Sequence, residues 1–228
     1  MEDSLNRICL ICGCLIALVL IACTKANANE IEKNIIGAGL VDIQAIDPSI
    51  RVDLVNSHPD KNFFRENYYQ GLTKAYIRPE VAPKLANAQK FLQMEFPQYS
   101  LLIMDAARPR GVSQKMHEKM KGTPFEKYVA KPDTGSMHNF GIAVDVTIVD
   151  GNNNEIDMGF TPFYKNTLSI YWGFAKLKVF GFTEVQKQNR ELLARIMKKA
   201  GFFPLSYEWW HFEGIPKNEA RKKYRIIE

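Results

Sequence analysis

Between Gly141 and Val149 the chain alternates strictly, with Ile142, Val144, Val146 and Ile148 on one face and Ala143, Asp145 and Thr147 on the other. This run limits the fold more than any other feature. It reads as a strand whose apolar face needs a packed layer over it, so a sheet covered by another element is required. A carboxylate sits midway along it. Burying an unpaired charge there costs several kcal/mol, so Asp145 needs a metal, a basic partner or water at an exposed face. Taken alone, a salt bridge to Arg or Lys is the commoner answer.

The flanking pattern is mixed. Residues 39–55 carry loosely alternating apolar residues and read as extended, while 56–71 is aromatic and polar without a period and reads as loop. Arg78-Pro79 opens a helix with Pro at its first position. Val81, Leu85, Ala88 and Leu92 form its buried stripe, and Pro97 stops it. A strand follows from Ser100 to Ala106, then a short helix from Gly111 to Met120. Asp150-Gly151 and three asparagines make a turn, with a return strand expected after it. Thr183 and Gln186 form a capping-box pattern for a second helix. Its apolar face is Leu192, Leu193, Ile196 and Met197, with Lys198 and Lys199 suiting its C-terminal dipole before Gly201. Pro204 to Phe212 reads as a last strand. Helices and strands do not alternate regularly, which favours an α+β domain with a mainly antiparallel sheet flanked by helices over a doubly wound α/β fold.

All four cysteines, Cys9, Cys12, Cys14 and Cys23, lie near the N-terminus, so the body of the chain has neither a disulfide framework nor a cysteine metal site. Ile8 to Ala22 is apolar and uncharged, preceded by Arg7, and suits the apolar region of an export signal better than a membrane span. Leu20-Ile21-Ala22-Cys23 resembles a lipobox that would leave Cys23 lipidated. Ala26-Asn27-Ala28 is an A-x-A site that would release a chain starting at Asn29. Glu2 and Asp3 weaken both readings, and an uncleaved anchor is the third. Each places the remainder outside the cytoplasm, in the periplasm or cell envelope, with the membrane touched only through such an anchor. Residues 1–28 are therefore set apart from one domain over 29–228, a length suited to a single core. The net charge of +5 is diffuse. The basic run Arg221, Lys222, Lys223 and Arg225 reads as a solvated helical tail, and no nucleic-acid motif accompanies it.

With cysteine excluded, a metal in the body must use His and carboxylates. The four histidines are His58, His117, His138 and His211. His138 lies in a small-residue loop feeding the strand of Asp145, so the two can converge. His211 follows Glu208 within Tyr207-Glu208-Trp209-Trp210-His211-Phe212, where large aromatics would make a low-dielectric wall beside two polar groups. Catalytic zinc typically takes three protein ligands and keeps one position open. Glu208, three residues from His211, is suited to moving a proton rather than binding metal. His58 and His117 read as structural or solvated.

Ser136-Met137-His138-Asn139-Phe140-Gly141-Ile142-Ala143-Val144-Asp145 fits S-x-H-x-x-G-x-A-x-D, and Glu208-Trp209-Trp210-His211 fits E-x-W-H. With Asp105-Ala106-Ala107-Arg108-Pro109, these resemble, in order, the motifs of the zinc D,D-peptidases that include the D-alanyl-D-alanine dipeptidases of the vancomycin-resistance type. The resemblance spans roughly Gly39 to Gly214. It implies that family's fold, one zinc on His138, Asp145 and His211, Glu208 as general acid/base, and Arg108 stabilising the transition state. It further implies D-Ala-D-Ala or peptidoglycan-derived peptides as substrates.

One departure bears on substrate length. The family has an acid for the substrate's amino group after Met-Gly-Thr, whereas here Asp157-Met158-Gly159-Phe160-Thr161-Pro162-Phe163 leads to Tyr164. Asp157 and Asp133 are the candidates to replace it. The alternatives are a D,D-carboxypeptidase trimming stem peptides and a non-catalytic zinc module that binds wall peptides. The retention of both Glu208 and Arg108 counts against the module.

Overall fold

The alternating run becomes β5 (Ala143–Val149), buried at every position, at the centre of a five-stranded sheet. The structure is a computed structural model that describes residues 30–123, 126, 129–131, 133–159, 181–206 and 208–228. Residues 1–28, expected to form an export segment, and Tyr164 lie outside them.

In chain order, residues 30–37 form α1. Then follow β1 (Val41–Asp42), α2 (Ile43–Ile46), β2 (Arg51–Val52), a 3-10 turn at Val55–Ser57, β3 (Tyr76–Ile77), α3 (Ala82–Glu95), β4 (Ser100–Asp105) and α4 (Arg110–Met120). A second 3-10 turn (Met137–Phe140) leads into β5. After it come α5 (Glu184–Lys199), β6 (Phe203–Leu205), β7 (Glu208–Glu213) and α6 (Lys217–Lys223).

The main sheet runs β2-β4-β5-β7-β6. Its β2–β4 pair is parallel and the other pairs are antiparallel, so the expected mainly antiparallel α+β sheet is what forms. On one side, α3 contributes Leu85, Ala88 and Leu92, and α5 contributes Leu193, Ile196 and Met197, to one core with Val144, Val146 and Ile148. Burial of these apolar faces is the main stabilising term. Gln89 of α3 is fully buried yet satisfied: its Oε1 accepts from Leu101 N at 2.8 Å and its Nε2 donates to Ser49 Oγ at 3.0 Å. The capping box of α5 forms as expected, with Gln186 N donating to Thr183 Oγ1 at 3.2 Å and Thr183 N to Gln186 Oε1 at 3.1 Å.

Four expectations are corrected. Residues 39–55 are not continuously extended, because the Asp42 carboxylate accepts from Gln44 N at 2.9 Å and caps the short α2. Helix α3 starts at Ala82, with Pro83 rather than Pro79 in its first turn. Residues 78–81 form a turn because Arg78 is drawn inward, its Nε donating to Phe140 O at 2.9 Å and its N to Gly141 O at 2.8 Å. The strand expected over 204–212 divides into the hairpin β6–β7 with a register shift between Pro204 and Leu205. The return strand after Asp150 amounts to one bridge, Val149 to Glu155. Among the described residues no helix is long and apolar enough to cross a membrane.

Candidate metal centre

The face of the sheet away from α3 and α5 carries a lateral row. Asp145 pairs with His211 of β7 on one side and with Asp105 of β4 on the other. Directly opposed residues share a face. Asp105 joins the row through an irregularity: Ile103 pairs with Val146, but Asp105 pairs with Asp145, so Met104 is an extra residue in β4. Without this bulge Asp105 would have the parity of Leu101 and Ile103 and point into the core.

His138 approaches from the 3-10 turn before β5. Ser136 caps that turn, accepting from His138 N at 3.3 Å, while Asn139 Oδ1 accepts from Ser136 N at 2.7 Å. Gly141 ends it at φ 70°, a left-handed conformation, and a Cβ there would lie 2.5 Å from Leu40 Cδ2. Three hydrogen bonds tie the turn to the Asp105–Pro109 segment. His138 Nδ1 lies 2.7 Å from Ala106 O, Arg108 N donates to His138 O at 3.0 Å, and Asn139 Nδ2 donates to Arg108 O at 2.6 Å.

The result is a tight three-residue cluster. His138 Nε2 lies 3.2 Å from Asp145 Oδ1, His211 Nδ1 lies 3.0 Å from the same oxygen, and the two ring nitrogens are 3.1 Å apart. All three residues are buried, and among the described residues they form the one group of this kind able to hold a metal, with ligand atoms within 4.8 Å of one another. The outer nitrogens suit that role. The carbonyl of Ala106 takes the Nδ1 proton of His138 and leaves its Nε2 lone pair inward. Glu213 Oε1 lies 3.5 Å from His211 Nε2, and its negative charge favours a proton on that nitrogen, which leaves Nδ1 inward. Two imidazoles and a carboxylate, oriented this way, fit a zinc ion, and the donor set also suits other divalent first-row metals.

The electrostatics follow from burial. Burial would raise the Asp145 pKa, but His138 and then His211 hold it well below the ordinary carboxylate range. Burial likewise opposes the charge on His211, yet its hydrogen bonds to Asp145 and Glu213 and the charges of Asp145 and Glu208 carry it up to about 9. Glu208, three residues along β7, has an oxygen 3.9 Å from His211 Nδ1, and burial pushes its carboxyl above its ordinary 4.5. The aromatics are placed differently from expectation. Phe212 lies in the main core, Trp210 packs on Val55 and Met104, and Trp209 is half-buried beneath the Arg190 guanidinium.

Arg108 is buried rather than a surface ion-pair residue. Its Nη2 is 3.9 Å from Asp145 Oδ2, and its Nε and Nη2 donate to Asp105 Oδ2 at 2.9 and 2.5 Å. Asp105 also accepts from Tyr69 Oη at 2.5 Å, Asn56 Nδ2 at 2.9 Å and Ala106 N at 2.9 Å. Burial, then the Asp105 charge, raises the Tyr69 hydroxyl well above its ordinary 10.0, so it remains a neutral donor. Sequence reasoning missed Tyr69 and Asn56, which sit in the aperiodic loop, and Glu213. The signal available for Asp105 was its place three residues before Arg108.

His138, Asp145, His211, Glu208 and Arg108 line one cleft. The other candidates do not reach it. His58 pairs with Asp53 at 3.0 Å, and His117 lies 3.9 Å from Glu126. Asp133 is exposed. Asp157 accepts from Gln186 Nε2 at 3.1 Å and from Gly159 N at 2.8 Å, which anchors it to α5.

A family profile described as D-ala-D-ala dipeptidase matches residues 37–227. The D-alanyl-D-alanine dipeptidase of Escherichia coli is 28% identical over 176 residues, covering 76% of this chain and 83% of the relative. That of Synechocystis is 29% identical over 178 residues, covering 63% of this chain and 71% of the relative. Among solved structures, the LdcB LD-carboxypeptidase aligns at 22% identity and a TM-score of 0.38, over 64% of this chain and 63% of that one. VanYB in complex with D-alanine-D-alanine aligns at 16% identity and a TM-score of 0.33, over 65% of this chain and 76% of that one.

Proposed function

The chain belongs to the D-ala-D-ala dipeptidase family and is a peptidase, and from that premise we propose that it hydrolyses D-alanyl-D-alanine with one zinc ion on His138, Asp145 and His211. The single observation carrying this reading is the convergence of those three buried ligand atoms beside Glu208 and Arg108. The apolar leader supports action outside the cytoplasm, whether the chain is released at Asn29 or anchored at Cys23.

A zinc ion, held by His138, Asp145 and His211, would supply Lewis acidity toward the scissile carbonyl and would lower the pKa of a water toward about 7. The protein's own groups do the rest. Glu208, raised by burial toward working pH, accepts the proton of the attacking water and delivers it to the departing amine. Arg108 offers its guanidinium to the carbonyl oxygen as negative charge develops, and its own charge is secured by Asp105 and Asp145 against the opposing effect of burial. Asp105 keeps that guanidinium from pairing fully with Asp145.

A second reading, a D,D-carboxypeptidase acting on longer stem peptides, has a specific observation in its favour. Among the described residues, the carboxylates lining the cleft are Asp145, Glu208 and Glu213, each engaged with a histidine or a lysine. Residues 160–180 contain no Asp or Glu. A free carboxylate to clamp a substrate ammonium is therefore lacking among the described residues that line the cleft. The deciding experiment measures amine release by the zinc-loaded protein from D-Ala-D-Ala and from a stem peptide ending in it. Cleavage of the free dipeptide is the expected result. Cleavage of the long peptide alone makes the protein a carboxypeptidase, and silence on both overturns the peptidase reading.

A further inference from the structure

The main sheet stops short of two segments the site depends on. Strands β4 and β5 pair no further than Asp105 with Asp145. Residues 106–109, which carry Arg108, and the 3-10 turn that carries His138 therefore lie beyond the ladder. Hydrogen bonds from Arg108 N to His138 O and from Asn139 Nδ2 to Arg108 O join them directly. A third segment closes over this join. After α6 the chain turns extended at Tyr224, with φ −119° and ψ 148°. The basic run that was expected to be a solvated tail thus leads into Ile226 and Ile227, which pack against the core.

Ile227 sits astride the join. Its N–H donates to Asn139 O at 2.8 Å, and its carbonyl accepts from Arg110 N at 2.8 Å. Each bond meets a need. Arg110 opens α4, whose cap residue Pro109 offers no side-chain acceptor, so Ile227 O takes an amide donor that a helix start leaves unsatisfied. Asn139 is fully buried, where an unpaired carbonyl is costly, and its side chain is already committed to Ser136 N, Arg108 O and Ser113 Oγ. The Ile227 side chain is itself buried, its Cδ1 3.5 Å from where a Cβ on Gly141 would stand. Its neighbours fasten the segment on both sides. Arg78, which donates to Phe140 O in the His138 turn, also donates to Arg225 O at 3.5 Å and lies 4.4 Å from the centre of the Tyr224 ring. Glu228 pairs with Arg110 at 2.8 Å. Ile226 Cδ1 lies 3.0 Å from where a Cβ on Gly135 would stand, and Gly135 lines the cleft.

We propose that Ile227 is a positioning residue for the reaction: bonded to both segments, it holds His138 and Arg108 at their working separation, and residues 224–228 act as a strap over the outer side of the site. This rests on the peptidase reading of the same site. Slack there matters, because a displacement of about 1 Å at a catalytic group can cost about 100-fold in rate. Ile227 acts through Asn139 and Arg110, the residues next to His138 and one beyond Pro109, and does not touch the reacting atoms.

The test compares Ile227→Ala, Ile227→Pro and Ile227→Val in the full chain, with Leu193→Ala as a control. Leu193 is a fully buried side chain of α5 on the other side of the sheet, so its loss lowers stability without touching the strap. Ala removes the packing of residue 227, Pro removes the N–H given to Asn139, and Val keeps both backbone bonds and most of the side chain. Ile227→Ala and Ile227→Pro are each expected to raise the zinc Kd by about tenfold in calorimetry, the scale for residues that orient a metal ligand from outside. Both should speed hydrogen exchange at the Arg108 amide, which His138 O holds, by about tenfold or more. Both should lower kcat by about 10- to 100-fold and move KM far less. Ile227→Val, the mildest of core truncations, should stay close to wild type on every reading. Leu193→Ala should lower the melting temperature yet keep zinc affinity and kcat. Wild-type zinc affinity and Arg108 exchange in both Ile227→Ala and Ile227→Pro overturn the assignment. An equal loss in Leu193→Ala overturns it as well, since the effect is then one of stability alone. If the wild type hydrolyses neither peptide, the peptidase reading fails, while zinc affinity and amide exchange still decide the strap.

Discussion

Arg108 donates from Nε and Nη2 to a single oxygen of Asp105, at 2.9 and 2.5 Å, and the same guanidinium stops 3.9 Å short of Asp145. Asp105 and Asp145 are cross-strand neighbours, an arrangement of like charges that is destabilising by itself. The guanidinium between them compensates both. It also settles an allegiance. Held by Asp105, which Tyr69, Asn56 and a backbone N–H hold in turn, Arg108 is set beside the His138–Asp145–His211 cluster without capturing the Asp145 carboxylate.

Asp105→Asn keeps the shape and removes the charge that anchors Arg108. Its kcat is expected to fall by about 100-fold, the scale of a 1 Å misplacement of a catalytic group. Asp105→Ala breaks a buried pair outright and is expected to cost about 3–5 kcal/mol in a urea titration. Full kcat in the Asn variant would separate Asp105 from the chemistry.

Glu208→Gln removes the proposed proton carrier while leaving His138, Asp145 and His211 untouched. Turnover is expected to drop by about 10²- to 10⁴-fold, with zinc content unchanged by metal analysis. Because burial raises the Glu208 carboxyl, the wild-type rate should decline on acidification from above pH 4.5, and the residual rate of the variant should lack that limb. Survival of full activity in Glu208→Gln would remove it from the mechanism.

Metal binding is expected to strengthen as pH rises. In the metal-free protein His211 titrates at about 9, so at neutral pH it holds a proton that a metal must displace. The sign for stability is opposite. The folded pKa is raised above the ordinary 6.5, so this contribution is complete below pH 6.5 and is lost as pH climbs through 9. Melting of metal-free protein should therefore become easier across that window, while calorimetry in buffers of different ionisation enthalpy should record proton release on zinc binding. A pH-independent zinc affinity would rule the displaced proton out.

Gly214, just after β7, donates to Ile142 O at 2.8 Å and abuts the buried Val81. A Cβ there would stand 2.3 Å from Val81 Cγ1 and 2.9 Å from Cγ2. Gly214→Ala should cost about 1–3 kcal/mol, the range for overpacking. Adding Val81→Ala should make the double variant lose less than the sum of the two singles, a coupling readable by a mutant cycle. Strict additivity would show that the clash is not what Gly214 avoids.

The sequence by itself determined what local pattern can encode. Alternation marked β5, the Thr183–Gln186 capping box marked the start of α5, and the likeness of the motifs around His138, Asp145, Glu208 and His211 to those of a known family marked the residues that meet. The first two signals are short-range, because side-chain period and cap geometry depend only on neighbours a few residues away. Tertiary structure decided the rest. The bulge at Met104, which rotates Asp105 out of the core parity and into the site, has no periodic signature, since it exists only as a mismatch between two paired strands. The inward pull on Arg78 that delays α3 comes from carbonyls at Ala38 and Phe140, far along the chain. The break between β6 and β7 exists only as a change of pairing register, which an apolar run cannot specify. Arg221 reads in sequence as part of a solvated tail, and only packing of the C-terminal helix places it, with Lys217, along the cleft that holds His138, Asp145 and His211.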